Sequence, residues 1–161
     1  MMCHSKKIKL KRKALAKVVI LFFVLISQSM FASFILIPMD EVTQTNHLKA
    51  YGITYWSLEQ GNIAKWLLNY EGGSFLLEDN KATRNECKIR GVTFHVISDT
   101  QATQILENIS SPSQNMDAVI LEKAPKIAVY SPKGNFPWDD AVTMVLTYAE
   151  IPFDVVYDEE V

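Results

Sequence analysis

Two aspartates, a serine, a lysine and a tryptophan are the side chains of this sequence best placed to meet a ligand. Asp40 follows the apolar run 34–37, and Asp99 follows the run 92–97. Ser131, Lys133 and Trp138 lie between the run 126–130 and a helical pattern. In open α/β sheets, ligands collect beyond the carboxyl ends of strands, where loops lead into helix N-termini. The loops 39–45, 98–100 and 131–138 are of that kind. A carboxylate there can accept hydrogen bonds or a proton, and a lysine beside a helix N-terminus can hold an anion. The same residues also have a structural use. Asp40 and Asp99 suit N-capping, while Asp139 and Asp140 fill the first turn after the third loop and would repel an anion.

Other chemistry is thinly represented. His47 and His95 each lack a second histidine at i+3 or i+4, so no metal site is expected. His95 alternates within a strand pattern and is expected to be a satisfied structural residue. Cys87 is expected half-buried on a helix. The sequence holds no G-x-G-x-x-G, no G-x-x-x-x-G-K-[ST] and no nucleophile between glycines. Catalytic residues are therefore unassigned and no cofactor is named.

The elements that must position these residues alternate. The run 34–37 is a short continuous apolar strand, the pattern of a strand covered on both faces. Asn46 is placed to cap a helix carrying Leu48, Tyr51, Gly52, Tyr55 and Leu58 on one side, with Gly61 as its stop. A strand over 64–70 and a turn over 71–74 follow. A helix over 82–90 ends at Gly91, and 92–97 reads as a strand. Ser98 and Gln101 form a capping box, and Ala102, Ile105, Leu106 and Ile109 give the buried stripe of the next helix. The segment 110–115 is a polar linker. A last unit has a strand over 126–130, Pro137 at a helix start, a stripe of Val142, Val145, Leu146 and Ala149, and a strand over 153–157. This strand–helix–strand unit predicts parallel strands. The whole reads as an α/β fold with a mostly parallel sheet and flanking helices, flavodoxin-like or amidotransferase-like.

A leader precedes this body. Seven basic residues lie before position 18, and the nine-residue apolar run 18–26 and the polar Ser27, Gln28 and Ser29 follow. A positive end, a short apolar core and small residues near a cleavage point make a secretory signal, expected over 1–32. The alternative is an uncleaved anchor through 18–37, since a bilayer needs roughly 20 apolar residues. The expected location is the periplasm or the extracellular space, with membrane contact only through 1–32. Removing the leader takes Cys3 and leaves Cys87 alone. It also leaves nine of the 16 basic residues against all 18 acidic ones. An acidic body without a basic stripe argues against nucleic acid as a partner and leaves a small-molecule ligand. The remaining organisation is an α/β region over 34–123 and the start of a βαβ unit over 124–161, expected to belong to a longer protein.

Three stretches carry a resemblance. They are 35–40 (ILIPMD), 46–56 (NHLKAYGITYW) with 66–75 (WLLNYEGGSF), and 126–132 (KIAVYSP) with 137–142 (PWDDAV) and 146–152 (LTYAEIP). Together the chain resembles a family of exported bacterial proteins commonly labelled asparagine synthetase B. The last unit is similar to the opening of class I glutamine-amidotransferase-like domains, whose catalytic Cys and His come later in the chain. The resemblance implies an N-terminal portion of an amidotransferase-like protein without a complete catalytic site, working on amides or peptides in full-length form. A solute- or glycan-binding module is the alternative. The label also implies ATP-dependent asparagine synthesis. That chemistry needs an amino-terminal Cys followed by Gly and an S-G-G-x-D-S loop, whereas Cys3 is followed by His4 and Ser5 and the loop is absent.

Overall fold

The computed structural model describes residues 33–130 and 141–157. Contacts divide the chain into Met1–Phe31 and Ala32–Val161, and only the second unit is described below. The expected leader over 1–32 therefore lies outside the described residues.

The element order is β1 (Ser33–Ile37), α1 (His47–Glu59), β2 (Ala64–Leu68), β3 (Phe75–Glu78), α2 (Lys81–Ile89), β4 (His95–Ser98), α3 (Asp99–Ile109), β5 (Asp117–Leu121), β6 (Ala128–Tyr130), α4 (Ala141–Ala149) and β7 (Asp154–Val156). Five strands form one sheet in the order β4-β1-β3-β2-β5, and β6 and β7 form a second. The fold is α/β as expected, but the main sheet is not mostly parallel. All four of its pairings are antiparallel. The parallel pair is β6·β7, joined through α4 as the last unit predicted.

The reason lies in two strands absent from the sequence reading, β3 and β5. β1 and β2 do run the same way across the α1 crossover, but β3 inserts between them and runs the opposite way. Likewise β3 and β4 share a direction across α2, with β1 between them. Two interlocked split β-α-β units in the order β4-β1-β3-β2 are the ferredoxin-like arrangement. α3 then carries the chain from one edge of the sheet to the other, where β5 joins β2.

Strand alternation sends side chains to two cores. Ile35, Ile37, Ala64, Phe75 and Leu77 meet Ala50, Ile53 and Leu58 of α1 and Cys87 of α2. Leu36, Leu67, Leu76 and Ile97 meet Ala102 and Ile109 of α3, with Ile105 and Leu106 packed alongside. The α3 stripe and its capping box are as the sequence predicts. α1 differs: Tyr51 is exposed, while Gly52, Thr54 and Ser57 are buried with Ala50, Ile53 and Leu58. The helix is covered on two sides, by the sheet and by α4. α4 differs too. Ala149 is buried against α1, but Val142, Val145 and Met144 are exposed.

Candidate functional site

The antiparallel sheet separates the two candidate aspartates. Asp40 lies beyond the carboxyl end of β1, and Asp99 lies beyond the carboxyl end of β4. Those strands run in opposite directions, with Ser98 opposite Ser33 at the start of β1. Asp40 and Asp99 thus sit at opposite ends of the sheet and cannot share a ligand. Each has local work. Asp40 Oδ1 accepts the N–H of Thr43 at 2.8 Å and of Val42 at 3.1 Å, and these bonds, Thr43 first, hold its carboxyl below the usual value. Asp99 is exposed in the first turn of α3, where the N-cap is Ser98. Ser131, Lys133 and Trp138 lie outside the described residues.

The histidines also part ways. His47 Nε2 is 3.1 Å from the Met39 carbonyl oxygen, a bond that secures the loop after β1. His95, expected to be a satisfied structural residue, is exposed on β4, an edge strand among the described residues. Cys87 is fully buried rather than half-buried, and burial pushes its thiol up to about 12. Burial of this kind disfavours the thiolate near neutral pH and argues against Cys87 as a nucleophile.

Of the residues that organise the carboxyl end of β1, Gln44 was not singled out by sequence. Gln44 is buried and uses its whole amide. Its Nε2 donates to the carbonyls of Pro38 and Thr93 at 3.2 Å each, and its Oε1 accepts the N–H of Asn46 and Thr93 at 3.3 Å. The loop after β1 is thereby tied to the segment before β4. Gly72 comes against the same loop: its φ is +77° and a methyl group there would sit 2.7 Å from Asp40 N. Asn46 holds the N-cap position of α1, yet its side chain makes no capping bond. Its Nδ2 donates to the Arg90 carbonyl at 3.2 Å, and its Oδ1 accepts the Tyr148 hydroxyl at 3.4 Å.

That bond leads into a charged cluster joining α1, α2 and α4. Arg90 Nε is 3.1 Å from both Glu86 Oε2 and Glu150 Oε2. Lys49 pairs with Glu150 and lies over the Tyr148 ring. The Lys49 bond, then the charges of Arg90 and Lys49, holds the Glu150 carboxyl below its usual value. The Arg90 side chain is only 10 % exposed, and its Nη1 is buried without a partner among the described residues. Arg90 caps the C-terminus of α2 and meets the residue after α4, so its charge faces the negative ends of two helices. Sequence offered one hint, a Glu86–Arg90 pair at i, i+4. Glu150, just after α4, and Lys49 of α1, which pairs with it, are brought in only by the tertiary fold.

A concavity lies where the chain passes from β5 to β6. A cleft of about 750 Å³ is lined by Tyr55, Leu58, Glu59, Glu122, Lys123 and Lys126 among others. The Tyr55 hydroxyl donates to the Pro125 carbonyl at 2.6 Å, which ties α1 to this connection. Burial, then the nearby Glu59, raises the Tyr55 phenol above its usual value. The volume suits a small solute, and both charge signs are at hand to orient one. No group of three or more His, Cys, Asp or Glu that could hold a metal occurs among the described residues. No helix among them is long and apolar enough to cross a membrane. No family model matches this chain, and no curated protein and no solved structure matches it.

Proposed function

We propose that this chain is the N-terminal part of an exported protein, amidotransferase-like, resembling the family labelled asparagine synthetase B, with its catalytic residues outside this chain. The observation that carries the reading is the β6-α4-β7 unit. A parallel pair is stable when both faces are covered. Here α4 rests on α1 through Ala149 and Tyr148, while Met144 is 63 % exposed and Val142 and Val145 are exposed as well. Such a unit is the seed of a larger doubly wound layer, and the five-stranded sheet is the platform that holds it. The burial of Cys87 supports placing the nucleophile elsewhere. A leader that is cleaved fits better than an anchor through 18–37. Ser33–Ile37 form an inner strand whose Ile35 and Ile37 are fully buried in the sheet. An anchor through 18–37 would have to draw these residues out of the sheet.

The test has two arms. Cells are fractionated and the mature amino terminus is sequenced; a cytoplasmic protein still beginning at its first residues refutes export. The purified chain is then assayed for glutamine hydrolysis and for glutamine- and ATP-dependent asparagine formation. No turnover is expected. Turnover lost in Cys87→Ala would make Cys87 the nucleophile and refute the assignment.

A second reading, a small solute held by this chain itself, is favoured by the cleft beside Tyr55. Calorimetric titration with amino acids and with neutral sugars, on wild type and Tyr55→Ala, distinguishes it. Saturable heat that disappears in the variant supports the solute reading, and silence throughout refutes it.

A further inference from the structure

We propose that β5 is the contact strand of a symmetric dimer, pairing antiparallel with β5 of a second copy to make one continuous ten-stranded sheet. Among the described residues β5 is the last strand of the five, bonded to β2 on one side only. Its sequence, Asp117-Ala-Val-Ile-Leu121, has neither Pro nor Lys within it, and the ladder to β2 is uninterrupted over all five residues. Edge strands that must stay single are blunted by inward charges, Pro or bulges. β5 has no Pro and no bulge, and its one charged residue, Asp117, stands at its first position. Instead Val119 and Ile120 are 37 % and 57 % exposed.

The hydrogen-bonding direction of the strand can be worked out. Leu67 N donates to Ser74 O, so Leu67 points its backbone toward β3. Alternate residues point the other way, so Ala64, Trp66 and Leu68 face β5, opposite Leu121, Val119 and Asp117. Ala118 and Ile120 therefore present their N–H and C=O groups at the free edge. Ala118 N donates to Asp117 Oδ1 at 2.7 Å, a carboxylate standing where a neighbouring strand would supply a carbonyl.

One register of β5 on itself satisfies the charges. With Ile120 opposite Ile120 of the second copy at the two-fold axis, Val119 meets Leu121, and Asp117 meets Lys123 just past the strand. The outward residues are then the ones that exchange bonds at the axis, as an antiparallel pair requires. The axis is perpendicular to the sheet, so each face continues across the junction. Val119 and Leu121 meet on the side of α1 and α2, and the two Ile120 side chains meet on the side of α3. A two-fold contact of this kind is self-complementary and closes, so it ends at two copies.

The experiment is sedimentation velocity on the protein as purified from cells expressing the full chain, at about 1 to 100 µM. A reversible dimer is expected. Ile120→Lys places two like charges opposite one another and should weaken it at least about tenfold. Asp117→Lys and Lys123→Asp should each weaken it about tenfold, and the double swap, which restores both cross-strand pairs, should return it to within about threefold of wild type. Thermal melts accompany each variant, and the charge series decides the matter if Ile120→Lys does not fold. A monomer at 100 µM, a dimer indifferent to these changes, open-ended aggregates, or single-variant losses that the double swap fails to rescue would each overturn the proposal.

Discussion

Gly52→Ala isolates the contact that joins the β6-α4-β7 unit to the sheet. Gly52 lies in the middle of α1, where on an isolated helix the change would gain about 1 kcal/mol. In this fold the new methyl group would overlap the Ala149 carbonyl oxygen. It would lie 2.9 Å from the Ala149 carbonyl carbon and 3.5 Å from Arg90 Nη1. The nearest obstacle is backbone, so α4 must move as a body. Overpacking of this kind costs about 1–3 kcal/mol. Retreat of α4 also stretches the Arg90–Glu150 contact at 3.1 Å, the Lys49–Glu150 pair and the Tyr148–Asn46 bond at 3.4 Å. Glu150 is half exposed, so each ion pair contributes at most about 1 kcal/mol. The overlap and the strained pairs outweigh the propensity gain, and the expected result is a net loss of about 2 kcal/mol. Urea unfolding measures the loss, and hydrogen exchange should show faster exchange of α4 amides. The control is Gly61→Ala, with φ +81° and no neighbour within 4 Å. It should cost about 1 kcal/mol through backbone strain and leave α4 exchange unchanged. If Gly52→Ala equals or exceeds wild type in stability, α4 does not rest on α1 in solution and the platform argument fails.

Cys87 should resist a thiol reagent at neutral pH in the native state and react fully in denaturant, since its sulfur is buried and its thiol is pushed up to about 12; fast native labelling would contradict both. Asp79 is 4 % exposed and bonded to Arg84 and Ser33, and these partners, Arg84 first, hold its carboxyl below the usual value. A folded value depressed in this way contributes stability that is present above the unfolded value and lost as pH falls through the folded one. Asp79→Asn should therefore cost about 1–3 kcal/mol at pH 7, with the difference from wild type shrinking in acid; a gap that stays constant down to pH 2 would exclude the linkage. Gln44→Glu should be worse than Gln44→Met. Where the amide donates to Pro38 and Thr93 carbonyls, a carboxylate meets two acceptors, and comparative urea melts would show the order.

What was legible in the sequence was local. The helix of Ala102, Ile105, Leu106 and Ile109 and the Ser98–Gln101 box are set by neighbours within one or two turns, and both form as read. The β6-α4-β7 crossover has the same quality, with a strand on either side of a helix. Gln44 was not legible, and Arg90 only through its Glu86 pair, because their other key partners lie far off in sequence. Gln44 meets Thr93, 49 residues away, and Arg90 meets Glu150 from a different helix. A buried polar side chain looks like any other polar residue until the fold brings its partner.

The error with the largest consequence came from four residues. Phe75–Glu78 follow a Gly-Gly turn after the apolar end of β2, which is the pattern of a hairpin. Taken as a turn without its second strand, the segment leaves β1 and β2 adjacent and parallel. With β3 between them, both crossovers become split and every neighbour in the sheet reverses. The reversal moves chemistry as well as topology. In a parallel sheet all carboxyl ends share one side, so Asp40 and Asp99 would lie on one rim. In the antiparallel sheet β4 points away from the end where β1 delivers Asp40. A site assembled from strand-end residues is therefore only as good as the strand directions behind it. At the carboxyl end of β1, the polar groups that do converge are Gln44 and Asn46 of the loop after it, Lys49 of α1, Arg90 at the end of α2 and Glu150 just after α4.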